Sequence, residues 1–139
     1  LLNWNVEPFL IASTVKGILA QRLVRRICKE CKRPHEPTAE ELKRLGIEPD
    51  DMIKAFNGKG CLSCRNTGFK GRIGIYELLL VDAEISELVL NQAPGYKIRE
   101  QARKNGMRTL LEDGIIKIER GDTTISEVYE TLGTTKIML

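Results

Sequence analysis

The sequence predicts a mixed, helix-rich α/β chain, and three observations carry that prediction. Apolar residues recur at helical spacing in several segments that open on capping residues and close on glycine. One β-branched and aromatic run, "RIGIYELLLV" at 72–81, has the composition of a strand. All four cysteines fall into two CxxC pairs, the second set in a glycine-rich stretch that opens directly into that run.

The elements follow in order. Residues 7–20, "EPFLIASTVKGILA", read as a helix: Pro8 suits a first helical position, where its missing N–H is not needed. Ile11, Val15, Ile18 and Leu19 then recur at helical spacing. Gly17 weakens that interior by up to ~1 kcal/mol and points to close packing. "QRLVRRIC", 21–28, either continues the helix or switches to a strand, and the chain must leave any helix before Pro34 and Pro37. Thr38 and Glu41 make a capping box for "AEELKRLG", which Gly46 stops. "EPDDMIKAF" is expected to form one more turn or a short helix, and residues 58–71 a glycine-rich loop. The near-continuous apolar character of 72–81 implies a strand buried on both faces. Asp82 is the expected cap of "AEISELVL", and a helix over about 96–105 closes at Gly106. Thr109 begins "LLEDGIIKIERG", and Thr124, with Glu127 three residues on, caps "TTISEVYETLG". The tail "TTKIML" has no usable periodicity.

Composition narrows the function classes. At 139 residues the chain has the size of one ordinary domain, enough for a real core. Only 5% of residues are aromatic, which disfavours a stacking platform for single-stranded nucleic acid. A net charge of +3 is too small to demand a polyanionic partner. Local charge is another matter: Arg22, Arg25, Arg26, Lys29, Lys32 and Arg33 crowd the first cysteine pair, broken only by Glu30. Lys59, Arg65, Lys70 and Arg72 surround the second. No apolar run approaches the roughly 20 residues that cross a bilayer, and the N-terminus has no secretory-leader pattern. The chain starts without Met, in sequence resembling mid-helix, so it is expected to be one excised part of a larger machine.

The cysteines are the chemical signal. Two residues between Cys28 and Cys31, and between Cys61 and Cys64, allow tight turns that aim both thiolates of each pair at one metal. The 29 residues between Cys31 and Cys61 exceed the zinc-ribbon interval of about 15–20. The expected helix at 38–45 fills the gap, so a metal would pin the base of an inserted helical tongue. Basic neighbours favour deprotonated thiols. Structural zinc on Cys28, Cys31, Cys61 and Cys64 is the reading this pattern favours, with no open position for catalysis. Disulfides, a dithiol redox site, an iron–sulfur cluster, or His35 replacing one cysteine remain as alternatives. No catalytic residues and no cofactor-binding residues are assigned: GxxxxGK[ST], HExxH and GxSxG are absent, and there is one histidine. The adjacent carboxylates Glu40–Glu41 and Asp50–Asp51 read as solvated faces.

"VEPFLIASTVKGILAQRLVRRICKECK", "GCLSCRNTGFKGRIGIYELLLVD" and "GMRTLLEDGIIKIERGDTTISEVYE", in this order and spacing, resemble the C-terminal end of the type II secretion and type IV pilus assembly ATPases over roughly residues 6–130. The resemblance implies a homo-hexameric, cytoplasmic ATPase with a RecA-like motor domain, docked on inner-membrane platform proteins at the inner membrane face. Its ATP- and magnesium-binding boxes lie upstream of this segment, so none is carried over and the segment alone is expected to be inactive. The long interval between cysteine pairs is what that family shows, and its zinc site falls on Cys28, Cys31, Cys61 and Cys64.

By this resemblance residues 1–28 end the RecA-like core, 29–71 form the tetracysteine zinc-binding insertion, 72–81 return as a core strand and 82–139 make a C-terminal helical subdomain. Residues 21–28 become a strand antiparallel to 72–80, and Arg22, Arg25 and Arg26 are the basic residues to watch at subunit or platform contacts, with a solvated strand edge as the alternative reading. Motors of pilus assembly, protein secretion and DNA uptake share this segment. Two other classes compete: a zinc-ribbon nucleic-acid binder, against which the low aromatic content stands, and a chaperone-type cysteine-rich module, since "CLSCRNTG" is one residue off a CxxCxGxG repeat. No nucleic-acid partner is expected.

Overall fold

The computed structural model describes residues 4–133, so the tail 134–139 lies outside the described residues. The order is α1 Pro8–Thr14, β1 Gly17–Ile27, β2 Lys32–His35, α2 Ala39–Arg44, β3 Ala55–Gly58, β4 Phe69–Leu80, α3 Ala83–Leu90, α4 Gly95–Lys104, α5 Leu110–Arg120 and α6 Ile125–Gly133. β1 pairs with β4 and β2 with β3, each as a two-stranded sheet. Val81 N–H donates to Lys16 O at one end of the first ribbon, and Cys28 N–H to Gly68 O at the other, so its strands run antiparallel. The described chain divides into two compact units. One comprises the chain to Ala20 with Glu77–Thr109; the other comprises Gln21–Tyr76 and the chain from Leu110.

In the first unit the helix expected over 7–20 stops at Thr14, and residues from Gly17 join β1. Thr14 Oγ1 bonds back to Leu10 O, and Val15 is already extended (φ −76°, ψ 122°). Gly17 lies so close to β4 that a Cβ there would sit 3.3 Å from Leu79 O. Its smallness serves strand pairing rather than helix packing. α3 has its Asp82 cap, which accepts Ile85 N–H at 2.9 Å. α4 is tied to the start of α3 by Gln101 to Glu84 and Asn105 to Asp82, both at 2.6 Å.

The second unit holds a core of Val24, Leu45, Ala55, Ile75, Leu111, Ile118, Ile125, Val128 and Leu132. α5 crosses α6 closely at Gly114, where a Cβ would come within 2.7 Å of Val128 Cγ1. Asp113, buried on α5, accepts Tyr76 N–H at 2.8 Å and Lys117 Nζ at 2.6 Å, which ties α5 to β4. Among expected elements, α2, α5 and α6 appear as read.

Two further expectations are corrected by the structure. "EPDDMIKAF" makes its turn, Asp51 N–H donating to Glu48 O at 2.9 Å, but no helix: its last residues enter β3, paired antiparallel with β2 from Lys32↔Gly58 to His35↔Ala55. β4 is not buried on both faces, because Ile75 is fully buried while Tyr76, Leu78 and Leu80 are 41%, 48% and 63% exposed. A two-stranded ribbon covers only what a packed layer reaches, and among the described residues β4 has β1 as its one strand neighbour.

Candidate metal centre

β1 delivers Cys28 directly from its last residue, Ile27, and both are buried. Cys31 immediately precedes β2, and β3 ends at Gly58, three residues before Cys61. The β2–β3 ladder therefore returns the chain from the tongue to its starting point, and Lys59 N–H extends it by donating to Cys31 O at 3.1 Å. The long interval between the pairs is closed by a sheet, so loop entropy is offset by ladder hydrogen bonds. The second pair sits on a tight turn in which Asn66 N–H donates to Cys61 O at 2.8 Å.

Two glycines make the approach possible. Gly68 has φ +81°, and Gly58 faces it so tightly that a Cβ on Gly58 would lie 2.2 Å from Gly68 O. Gly68 also accepts Cys28 N–H at 2.9 Å and donates its own N–H to Cys64 Sγ at 3.2 Å. One residue thus joins both cysteine pairs.

The four sulfurs converge within 4.8 Å of one another. Cys28–Cys61 and Cys31–Cys64 are 3.8 Å apart and Cys61–Cys64 3.7 Å, with no disulfide among them. A tetrahedron with metal–sulfur bonds of about 2.3 Å has edges of about 3.8 Å, so the set fits one zinc-sized ion. Gly60 N–H donates to Cys31 Sγ and Cys61 N–H to Cys64 Sγ, each at 3.3 Å, and such donors stabilise thiolates. Burial pushes the Cys31 thiol up to about 11, against the Gly60 donor. Burial opposes the Cys64 thiolate too, but the Cys61 and Gly68 N–H groups, then the neighbouring thiols, bring it down to about 6. With metal bound, four thiolates close the coordination shell, and the ion supplies a cross-link rather than a reactive position.

His35 stands apart from this cluster. Its Nε2 lies 2.9 Å from Glu41 Oε1, on the tongue, and the metal-competent group consists of the four cysteines alone among the described residues. Arg25 is likewise committed internally: its Nε and Nη2 donate to Glu127 Oε1 at 2.8 and 2.6 Å, its own N–H to Oε2 at 2.9 Å. Thr124 caps α6 through Glu127 N–H as expected, but the Glu127 carboxylate goes to Arg25. Thr123 Oγ1 donates to Arg25 O and Ile27 N–H to Asp122 O, both at 2.9 Å. The α5–α6 turn thereby holds the strand that carries Cys28. No local pattern announces this link, since Arg25 and Glu127 are 102 residues apart.

Comparison with known proteins places these features in a family. Residues 1–130 match the family model described as "Type II/IV secretion system protein". The chain is 45% identical over 126 residues to the type IV pilus assembly ATPase PilB of Thermus thermophilus, covering 89% of this chain and 14% of that relative. It is 38% identical over 128 residues to the type II secretion system ATPase E of Vibrio cholerae, covering 92% of this chain and 25% of that protein. The PilB of Pseudomonas aeruginosa is 39% identical over 131 residues, with 92% of this chain and 23% of that protein covered. The chain thus spans a quarter or less of the length of these relatives.

Proposed function

Because the chain belongs to the type II/IV secretion system protein family, we propose that it is the zinc-bearing C-terminal part of a hexameric, cytoplasmic ATPase. That motor powers type IV pilus assembly or type II secretion from the inner membrane face, against platform proteins. ATP and magnesium are bound by the rest of the parent, and this segment is inactive by itself. Residues 1–28 and 72–81 close its RecA-like core, 29–71 form the zinc-binding insertion and 82–139 the helical subdomain.

The observation that carries this reading is the convergence of Cys28, Cys31, Cys61 and Cys64, in a chain 45% identical to a pilus assembly ATPase. Zinc there ties the end of β1 to the start of β4 across the tongue. The absence of any helix long and apolar enough to cross a membrane, among the described residues, is compatible with a peripheral position. Elemental analysis and ATP hydrolysis test the proposal together. The purified chain is expected to hold about one zinc and to hydrolyse no ATP above background, while the parent hydrolyses it. A chain without zinc, or one that turns over ATP alone, overturns the assignment.

A further inference from the structure

We infer that the α5–α6 turn seats the first cysteine pair, with Arg25 and Glu127 as positioning residues for the metal's sulfur ligands. Metal binding and the docking of α6 then strengthen each other. This rests on the zinc reading above and extends it to residues that touch no metal. Residues 121–123 of the turn reach both ends of the segment from Cys28 to Cys31. Ahead of Cys28, Asp122 O accepts Ile27 N–H and Thr123 Oγ1 donates to Arg25 O, both at 2.9 Å. Behind Cys31, Gly121 lies against Lys32 and Phe56 on the β2–β3 ladder. A Cβ there would stand 3.1 Å from Lys32 Nζ and 3.2 Å from Phe56 Cδ2, and the φ of +80° suits glycine. A segment gripped at both ends holds its thiols in place before the metal arrives, and such preorganisation raises affinity.

Glu127 continues the grip toward the second pair. Its carboxylate accepts the backbone N–H, Nε and Nη2 of Arg25, and the guanidinium so fixed lies 4.1 Å from the centre of the Phe69 ring. Phe69 follows Gly68, which accepts Cys28 N–H and donates to Cys64 Sγ. Phe69 N–H also donates to Thr67 Oγ1 at 3.2 Å, and that hydroxyl donates to Cys64 O at 2.7 Å. Contacts thus run unbroken from α6 through Arg25 and Phe69 to ligands of both cysteine pairs. The anchor of this chain is firm, because Glu127 is buried and α6 packs on α5 where Val128 meets Gly114. Outer groups that orient metal ligands set metal affinity nearly as the ligands do. The coupling is reciprocal: what α6 lends to the metal, the metal returns to α6.

The test titrates the native chain, Glu127→Gln, Phe69→Leu and Ile75→Val with zinc and with cobalt(II) against a competing chelator. Ile75→Val trims the same core but is no part of this chain of contacts, so it reports what lost stability does by itself. Glu127→Gln and Phe69→Leu should bind zinc about tenfold more weakly and alter the cobalt–thiolate absorption bands at full occupancy. Ile75→Val should do neither. Hydrogen exchange gives the reciprocal measurement. Chelating zinc from the native chain should expose the amides of Glu127 and Val128 on α6, whereas in Glu127→Gln their exchange should no longer depend on zinc. Where Glu127→Gln fails to fold, Arg25→Lys takes its place, keeping the charge and losing the planar fork. Native affinity and spectrum in the link variants, or equal weakening in Ile75→Val, overturns the inference and leaves the zinc reading standing. So does an α6 whose exchange ignores zinc in the native chain. A native chain that binds neither metal overturns the zinc reading, and the inference falls with it.

Discussion

Glu41 shows how one side chain can serve a local rule and a tertiary one at once. Its carboxylate accepts Thr38 N–H at 3.1 Å while its own N–H donates to Thr38 Oγ1, closing the capping box of α2. The same carboxylate meets His35 Nε2 from β2. Burial works against its charge, but His35 first and then the Thr38 amide hold its titration below the ordinary carboxylate range. A depressed carboxylate stabilises the fold above its unfolded value, and that contribution is lost as pH falls through the lower folded value. Glu41→Gln should therefore cost up to about 1 kcal/mol at neutral pH. It should cost nothing once acid has protonated the carboxyl, as compared by melts at both pH values. An equal loss at both would assign the effect to packing. The Thr38–Glu41 box is written in the sequence as Thr-x-x-Glu; the histidine is not, because β2 brings it from outside the helix.

Among elements, the metal turn depends on backbone more than on side chains. Gly58 and Gly68 lie face to face, and Gly68 bonds to both cysteine pairs. Gly58→Ala would set a methyl against the rigid Gly68 backbone, at a cost of about 1–3 kcal/mol. Its melting temperature should fall and its zinc dissociate faster, by calorimetry and a chelator assay; an unchanged variant would show that the turn relaxes freely. The glycine-rich character of 58–71 is legible, but the facing of these two glycines is not. The strands next to it are hidden for a related reason. "KRPH" and "AFNG" are four residues each, without alternation, and become strands because they pair with each other. The helix read over 7–20 fails differently: Val15, Ile18 and Leu19 suit either period, and pairing with β4 decides for the strand from Gly17.

At the scale of the molecule, the four-cysteine site belongs to one of two compact units, the one containing Gln21–Tyr76 and α5–α6. Metal binding to a site that the unfolded chain lacks is folding free energy. Stripping zinc with a chelator should lower the melting temperature and expose the amides of β2, β3, Lys59, Gly60 and Gly68 to hydrogen exchange. The amides of α3 and α4, in the other unit, should keep their protection. Uniform deprotection, or none, would contradict a metal that acts locally as a clamp.

The sequence by itself determined the family, the four cysteines and their pairing, the caps of α2, α3 and α6, and the strand character of 72–80. These are carried by residues close in the chain, where spacing and chemistry leave few alternatives. Only the tertiary structure decided that β2 and β3 close the tongue, that Arg25 and Glu127 hold the strand bearing Cys28, and that much of β4 stands exposed. Each of these joins groups distant in sequence, or depends on what covers a surface, and short-range pattern carries no information about either.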